Sequence, residues 1–242
     1  HGHRRSVGAL NLAAVDVRDR DAVAAVLRAT DARAVCHFAA LANIPESFAD
    51  PQETDRVNHG GTVALLDAMR ETGVAVAVFA STCALYAAPG DPRAPLREGD
   101  PERPLSPYAE SKQRAEAVLR DADAQGDVRA TAFRFFNAAG ADRAAGVGEL
   151  HEPETHAIPR LIRWARGDGD FTVYGADYPT RDGTCVRDYI HVDDLARAHA
   201  LALAMHLQGD DRARGVFNLG SGVGTSVREL VERTCALLGT TR

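Results

Sequence analysis

No run in this sequence is apolar for the roughly 20 residues that a membrane-crossing helix needs, and no secretory-leader pattern opens it. An excess of positive charge is missing too. The 28 Lys and Arg against 34 Asp and Glu leave a net charge of −6, which argues against nucleic acid or an anionic membrane as partner. Any anionic ligand must therefore be held by local positive charge. Cysteine is sparse: Cys36, Cys83, Cys185 and Cys235 show no CxxC spacing. Neither a disulfide framework nor a thiolate metal site is indicated, and reduced, mostly buried thiols in a cytoplasmic protein are expected. The HEPETH run at 151–156 is not HExxH, because its histidines are five apart and Pro153 breaks the helix that motif requires. A polar loop without metal is expected there.

A further absence is more telling. A dinucleotide-binding sheet opens with a strand, a glycine-rich turn and a helix whose N-terminus holds the pyrophosphate. Nothing near the start of this sequence has that form. The one glycine cluster, Gly220-Ser221-Gly222-Val223-Gly224, is followed by Thr225 and does not fit GxGxxG. It is expected to form a tight strand-to-helix turn. The sequence thus starts late and stops straight after a helix, as a fragment truncated at both ends would. The rarer alternative is a domain that works without a phosphate loop.

What is present belongs to an ordinary globular protein: 242 residues, 45% hydrophobic and 26% charged, enough for one large domain or two small ones. Strand patterns are expected over 11–17, 34–39, 74–80, 130–136, 171–174 and 216–219. Helices are expected over 21–28, 54–71 (stopped by Gly73), from 106, over 158–166, from 193 and over 226–238. Loops are expected over 40–47, over 181–192 and, rich in Pro and Gly, over 87–106. The run VAVAVFA at 74–80 is apolar almost throughout, as for a central parallel strand covered on both faces. Alternating strands and helices indicate a doubly wound α/β sheet, followed after Asn137 by a smaller second lobe.

The stretch SPYAESKQRAE, beginning at Ser106, carries the chemistry. Ser106 is a good N-cap and Pro107 suits the first helical position, so Tyr108 and Lys112 fall one turn apart on one face. Such a pair also arises on ordinary charged helices. It gains meaning from Ser81 and Thr82 at the end of the central strand, since ligands of parallel sheets bind at the carboxyl ends of strands. A hydroxyl, a phenol and an ammonium form a proton-transfer group. A free tyrosine, with a pKa of about 10, is too weak a base at neutral pH; a nearby cation favours the phenolate. Thr82 can hold a substrate hydroxyl while the phenolate removes its proton and a hydride leaves for a nicotinamide.

At HFAALANIPES, VFASTCALY, SPYAESK, FRFFNAAGA, HEPETHAIPRL, VYGADYPTRDGTCVRDYIHVDDLA and FNLGSGVGTSV the sequence resembles the extended short-chain dehydrogenase/reductases, and within them the UDP-glucose 4-epimerase branch. The resemblance runs over nearly the whole length. It implies a Rossmann-like fold whose first strand and glycine turn are missing. Residues 1–137 would form a partial NAD-binding domain, and 138–242 mainly an incomplete UDP-sugar lobe with segments returning to the first. It implies Thr82, Tyr108 and Lys112 as the catalytic trio. NAD contacts fall on Asp16, Val17, Phe38, Ala39, Ala40, Ala42, Asn58, Tyr108, Lys112 and Phe136. UDP-sugar contacts fall on Thr82, Asn137, His156, Thr172, Val173, Tyr174 and Arg187. From the residues themselves, Arg187 could instead pair with Asp182 or Asp188, and Asn58 could hydrogen-bond across to a loop.

The implied activity is epimerisation at C4 of a UDP-hexose, UDP-glucose or UDP-galactose, through a 4-keto sugar. A homodimer through two helices per subunit is implied with it. Epimerisation of UDP-arabinose/xylose or of UDP-N-acetyl sugars, or an inactive fragment of such an enzyme, are the alternatives. A 4,6-dehydratase is disfavoured, because Thr82 is followed by Cys83-Ala84 rather than an Asp-Glu pair able to act as acid and base. Two departures from the pattern, Ala80 for serine and Ala87 for glycine, are small.

Overall fold

The computed structural model describes residues 10–88 and 94–240. The opening stretch, for which no element is expected, and part of the 87–106 loop lie outside those residues.

The central sheet has four parallel strands in the order β1 (Val35–His37), β2 (Val76–Thr82), β3 (Arg129–Phe135), β8 (Gly215–Leu219). β2 lies in the middle with six of its seven residues buried, as its unbroken apolar text requires. One face is covered by α1 (Arg20–Ala29), α4 (Gly61–Thr72) and α5 (Pro107–Gln125). Ala24, Leu27, Leu65, Leu66, Met69, Ala115 and Leu119 pack there on Ala77, Phe79, Ala130 and Ala132. On the other face α7 (Val192–Leu207) sets Ala198 and Ala202 against Val78 and Phe133. Burying one side chain the size of Phe79 contributes about 2–3 kcal/mol, so this double layer supplies much of the fold's stability.

A second sheet joins β4 (Asn137–Ala139), β7 (Val186–His191) and β9 (Gly224–Ser226), with β7 parallel to β4 and antiparallel to β9. A two-stranded ribbon of β5 (Ala141–Asp142) and β6 (Val147–Gly148) lies between β4 and the helix α6 (Ala157–Ala165). The chain closes with α8 (Val227–Leu238), held by a reciprocal Ser226/Glu229 capping box. No helix among the described residues is long and apolar enough to cross a membrane.

Six local expectations are corrected. The loop expected over 181–192 contains β7, because β4 and β9 supply it with a ladder on both sides. The four cysteines are half-buried and not mostly buried. Residues 11–17 are not a strand but an exposed extended coil. Among the described residues β1 pairs only with β2, so this segment has no neighbour to complete a ladder, and a lone strand gains nothing from β-propensity. Residues 171–174 are coil for the same reason. The 40–47 loop contains the short helix α2 (Ile44–Ala49), which Asn43 starts by accepting a hydrogen bond from the Glu46 N–H at 3.3 Å. The long helix expected over 54–71 is three pieces in series: α3 (Pro51–Asp55), a π turn at Arg56–Gly60, and α4. Gly73, left-handed with φ 74°, ends it as the sequence suggests. Gly61, just past the π turn, is needed for closeness: a Cβ there would come within 2.6 Å of Val17 Cγ1.

Candidate active site

β2 delivers Thr82 to the carboxyl edge of the sheet. There its hydroxyl oxygen accepts the Ala84 N–H at 3.1 Å and caps the 3-10 turn at Cys83–Leu85. The Ser106 hydroxyl accepts the Ala109 N–H at 3.2 Å and starts α5 with Pro107 in its first turn, as expected. Tyr108 and Lys112 follow on the face turned to the sheet. Lys112 is 2% exposed, and its ammonium sits 4.0 Å from the centroid of the Phe79 ring. Burial pulls its pKa down to about 7, against the opposing pull of the Glu116 carboxylate.

The phenol departs from the expectation. Burial raises the Tyr108 pKa above the ordinary phenol value, and the Thr82 hydroxyl only partly offsets this. The Lys112 ammonium, itself pulled down to about 7 by burial, is a weak counterweight at neutral pH.

Arg187, on β7, reaches the same edge. Burial pushes the adjacent Cys83 thiol up to about 11, and the Arg187 guanidinium opposes that rise. Neither carboxylate considered as its alternative partner takes it. Asp188 accepts from Ser221 N–H (2.8 Å), Ser221 hydroxyl (2.6 Å) and Gly222 N–H (2.8 Å). Asp182 accepts from Thr184 and from the Ser226 hydroxyl at 2.5 Å. The Gly220–Gly224 turn therefore already holds an anion, the Asp188 carboxylate. Asn137 donates to the Asp188 carbonyl at 2.8 Å, which fixes the start of β4 beside β7.

The positions implied for the cofactor line this edge. Phe38, Ala39 and Ala42 are exposed just past β1, and Phe38 stacks on His199 at 4.7 Å between centroids. Phe136 follows β3 and donates its N–H to the Leu219 carbonyl at 3.0 Å. Asp16 is gripped by Arg18 at 2.6 Å, which holds its carboxyl down at about 2, and Val17 fills the notch at Gly61. Asn58 is 1% exposed. Its amide oxygen accepts the Leu41 N–H (2.7 Å), and its amide nitrogen donates to the Leu41 carbonyl (3.0 Å) and the Ser111 hydroxyl (2.9 Å). The Ser111 hydroxyl donates on to the Tyr108 carbonyl at 2.7 Å. Asn58 thus ties the segment after β1 to the tyrosine helix.

Thr172, Val173 and Tyr174 lie on exposed coil, with Tyr174 72% exposed. His156 stands at the N-cap of α6, its Nδ1 2.8 Å from Glu154 Oε1. His151 Nδ1 is 2.5 Å from Glu149 Oε1. The donor atoms of these two carboxylate–imidazole pairs all lie within 4.8 Å of one another, a convergence that the spacing of HEPETH did not suggest.

Beneath the trio runs a buried ionic network that sequence reasoning missed. Glu116, one turn past Lys112, is 2% exposed, and Arg134 on β3 is 1% exposed. Arg134 also bonds Glu102 and lies 4.8 Å from the Tyr86 ring, while the Ser81 hydroxyl donates to Glu116. The Tyr86 hydroxyl continues to Asn218 Oδ1 at 2.7 Å. Two signals were readable: an arginine inside the apolar strand AFRFF, and the fact that Lys112 is the single lysine among 28 basic residues.

The family model described as the NAD dependent epimerase/dehydratase family matches residues 1–220. A UDP-glucose 4-epimerase of Rhizobium leguminosarum bv. trifolii is 45% identical over 232 residues, spanning 96% of this chain and 70% of that relative. The solved UDP-glucose 4-epimerase of Brucella ovis in complex with NAD superposes with a TM-score of 0.88 at 44% identity, covering 96% of this chain and 70% of its own. That of Bifidobacterium longum in complex with NAD+ and UDP gives 0.82 at 34% identity, covering 93% and 67%. The chain thus spans about 70% of the length of the curated relatives it matches first.

Proposed function

This chain belongs to the NAD dependent epimerase/dehydratase family, as a homologue of UDP-glucose 4-epimerase, and on that premise we propose that it interconverts UDP-glucose and UDP-galactose at C4. The observation that carries the reading is the meeting of Thr82, Tyr108 and Lys112 at one sheet edge with Arg187 beside Cys83, whose guanidinium donates to the Val186 carbonyl at 3.2 Å and pairs with no carboxylate among the described residues. We assign residues 1–137 to the cofactor and 138–242 mainly to the sugar nucleotide.

The residues present fit NAD over its nicotinamide half. Ala39 and Ala42 leave the edge open, Phe38 offers a flat apolar surface, and Lys112 offers a charge below. Asp16 and Val17 would hold the adenine side, and Asn58 keeps the 39–42 segment in place rather than reaching outward. When bound, NAD would supply the hydride acceptor and donor for C4.

The chain's own part is proton handling and grip. Thr82 orients the sugar 4-hydroxyl, and Tyr108 takes its proton and later returns it to the same oxygen. Because burial raises the phenol, the phenolate needs more positive charge than Lys112 provides in the free chain, and a cationic nicotinamide has the required sign. Arg187 grips the diphosphate, a planar fork on a bidentate anion, while Asn137 and His156 flank the sugar. The sugar must turn over between the two half-reactions, so the grip has to lie on the UDP and not on the hexose.

We place the reaction in the cytoplasm, where the four free thiols stay reduced. We further assign α4 and α5 as the dimer-forming helices. Val63, 37% exposed on α4, and Val118 on α5 line the groove between them. The test is purified chain incubated with UDP-galactose and added NAD, followed by NMR of the sugar anomeric signals. UDP-glucose should appear, and its absence overturns the assignment.

A further inference from the structure

The Glu116 carboxylate is buried and held from two neighbouring strands. It lies four residues after Lys112 on the buried face of α5 and takes two hydrogen bonds from Arg134 of β3. A third comes from Ser81 of β2, the residue before Thr82. α5, β2 and β3 thus meet at one carboxylate, whose hydrogen-bond partners Arg134 and Ser81 are both buried. Above it, Lys112 sits on Phe79, whose ring lies 5.4 Å from that of His37.

The charged and titratable groups around Lys112 are few. His37 faces it from β1, and burial followed by the Lys112 charge pushes the imidazole down to about 3, so it stays neutral. Tyr108 and Glu116 flank it on α5. Arg134 and Glu102 act on Glu116 from behind, and exposed Arg120 reaches Glu116 only at 4.0 Å. Glu116, one turn along the same buried face of α5, is therefore the carboxylate placed to act on Lys112. Of the 28 Lys and Arg side chains every other one is an arginine, which cannot release its proton near neutrality; a lysine can.

We propose that Glu116 is a positioning residue for the proton-transfer group: locked by Arg134 and Ser81, its carboxylate is the fixed negative charge that favours the ammonium form of Lys112, one turn below Tyr108. The consequence for turnover rests on the reading of Tyr108 given above; the charge state of Lys112 does not. Glu116 touches neither sugar nor cofactor and acts through Lys112.

The single lysine makes the test direct. Protein grown on ¹³C-labelled lysine gives one lysine Cε signal, whose titration reads Lys112 alone. The midpoint should lie about 7 in the wild-type chain. In Glu116→Gln it should fall by about one unit or more, because burial is then unopposed. Glu116→Asp keeps the charge on a shorter arm and should fall between, which covers the case in which the glutamine variant does not fold. Glu102→Gln removes a carboxylate from the same guanidinium, away from Lys112, and should leave the midpoint in place.

Equal midpoints in the wild type and every folded Glu116 variant overturn the proposal. So does a Glu102→Gln shift as large as that of Glu116→Gln, which marks general collapse of the network. With UDP-galactose as substrate, the alkaline limb of the kcat/KM–pH profile should move down with the signal. A chain whose Lys112 follows the expected order but converts no UDP-galactose overturns the epimerase reading and supports this one.

Discussion

The Arg134 guanidinium donates from Nε to Glu116 Oε1 at 3.0 Å and from Nη2 to Oε2 at 2.7 Å, with both side chains out of water. Breaking such a pair from one side strands the other charge. Arg134→Met should cost about 3–5 kcal/mol of stability, read as a lower urea midpoint. Removing exposed Arg212, paired with Asp210, should leave the midpoint in place. Equal effects would mean that burial does not set the worth of the Arg134 pair.

Tyr108→Phe removes the proton acceptor and leaves the packing of α5 intact. Turnover of UDP-galactose should fall by about 100- to 10,000-fold with an unchanged unfolding midpoint. A drop of less than tenfold would reassign the base.

Arg187→Ala should act on grip and not on proton transfer. A loss of about 2–3 kcal/mol of charge-assisted hydrogen bonding corresponds to a roughly 30- to 150-fold rise in KM for the UDP-sugar, with kcat little changed. If kcat carries the loss instead, Arg187 acts at the reacting carbon.

His37 supplies a pH signature. Its folded pKa is about 3 against an ordinary 6.5, chiefly through burial. Between those values the unfolded chain holds a proton that the folded chain lacks. This contribution to stability is therefore complete above pH 6.5 and lost as the pH falls toward 3, at up to about 1.4 kcal/mol per pH unit. His37→Gln, which can keep the bond to the Thr62 hydroxyl, should flatten the curve over this window. Parallel curves for the two proteins would show that His37 titrates normally.

Asn58→Ala deletes three hydrogen bonds at a buried site and leaves the Leu41 N–H and carbonyl without their partner. The expected cost is about 2–4 kcal/mol. Amide exchange should speed up first at Leu41 and along α2, before the central sheet responds. Uniform acceleration across the sheet would mean that Asn58 supports the whole fold and not the segment beside the site.

The sequence by itself determined whatever depends on near neighbours and on period. Alternating apolar runs and helical patterns identified the parallel sheet. Ser106, Pro107 and Gly73 marked helix ends through backbone geometry local to a few residues. Tyr108 and Lys112 fell on one face because a helical turn fixes their spacing, whatever surrounds it.

Tertiary structure decided everything that depends on distant partners or on access to water. Residues 11–17 have the text of a strand and, among the described residues, no strand beside them, so they remain coil. Asn58 looked free to reach a ligand until Leu41 and Ser111 occupied its amide. Arg187 could have paired with Asp188 until the Ser221–Gly222 turn took that carboxylate. The charge of Lys112 is set by burial against Phe79 and by Glu116, which Arg134 of β3 and Ser81 of β2 hold in place. Hydrogen bonding and desolvation are properties of a completed environment, and strands far apart in the chain complete this one.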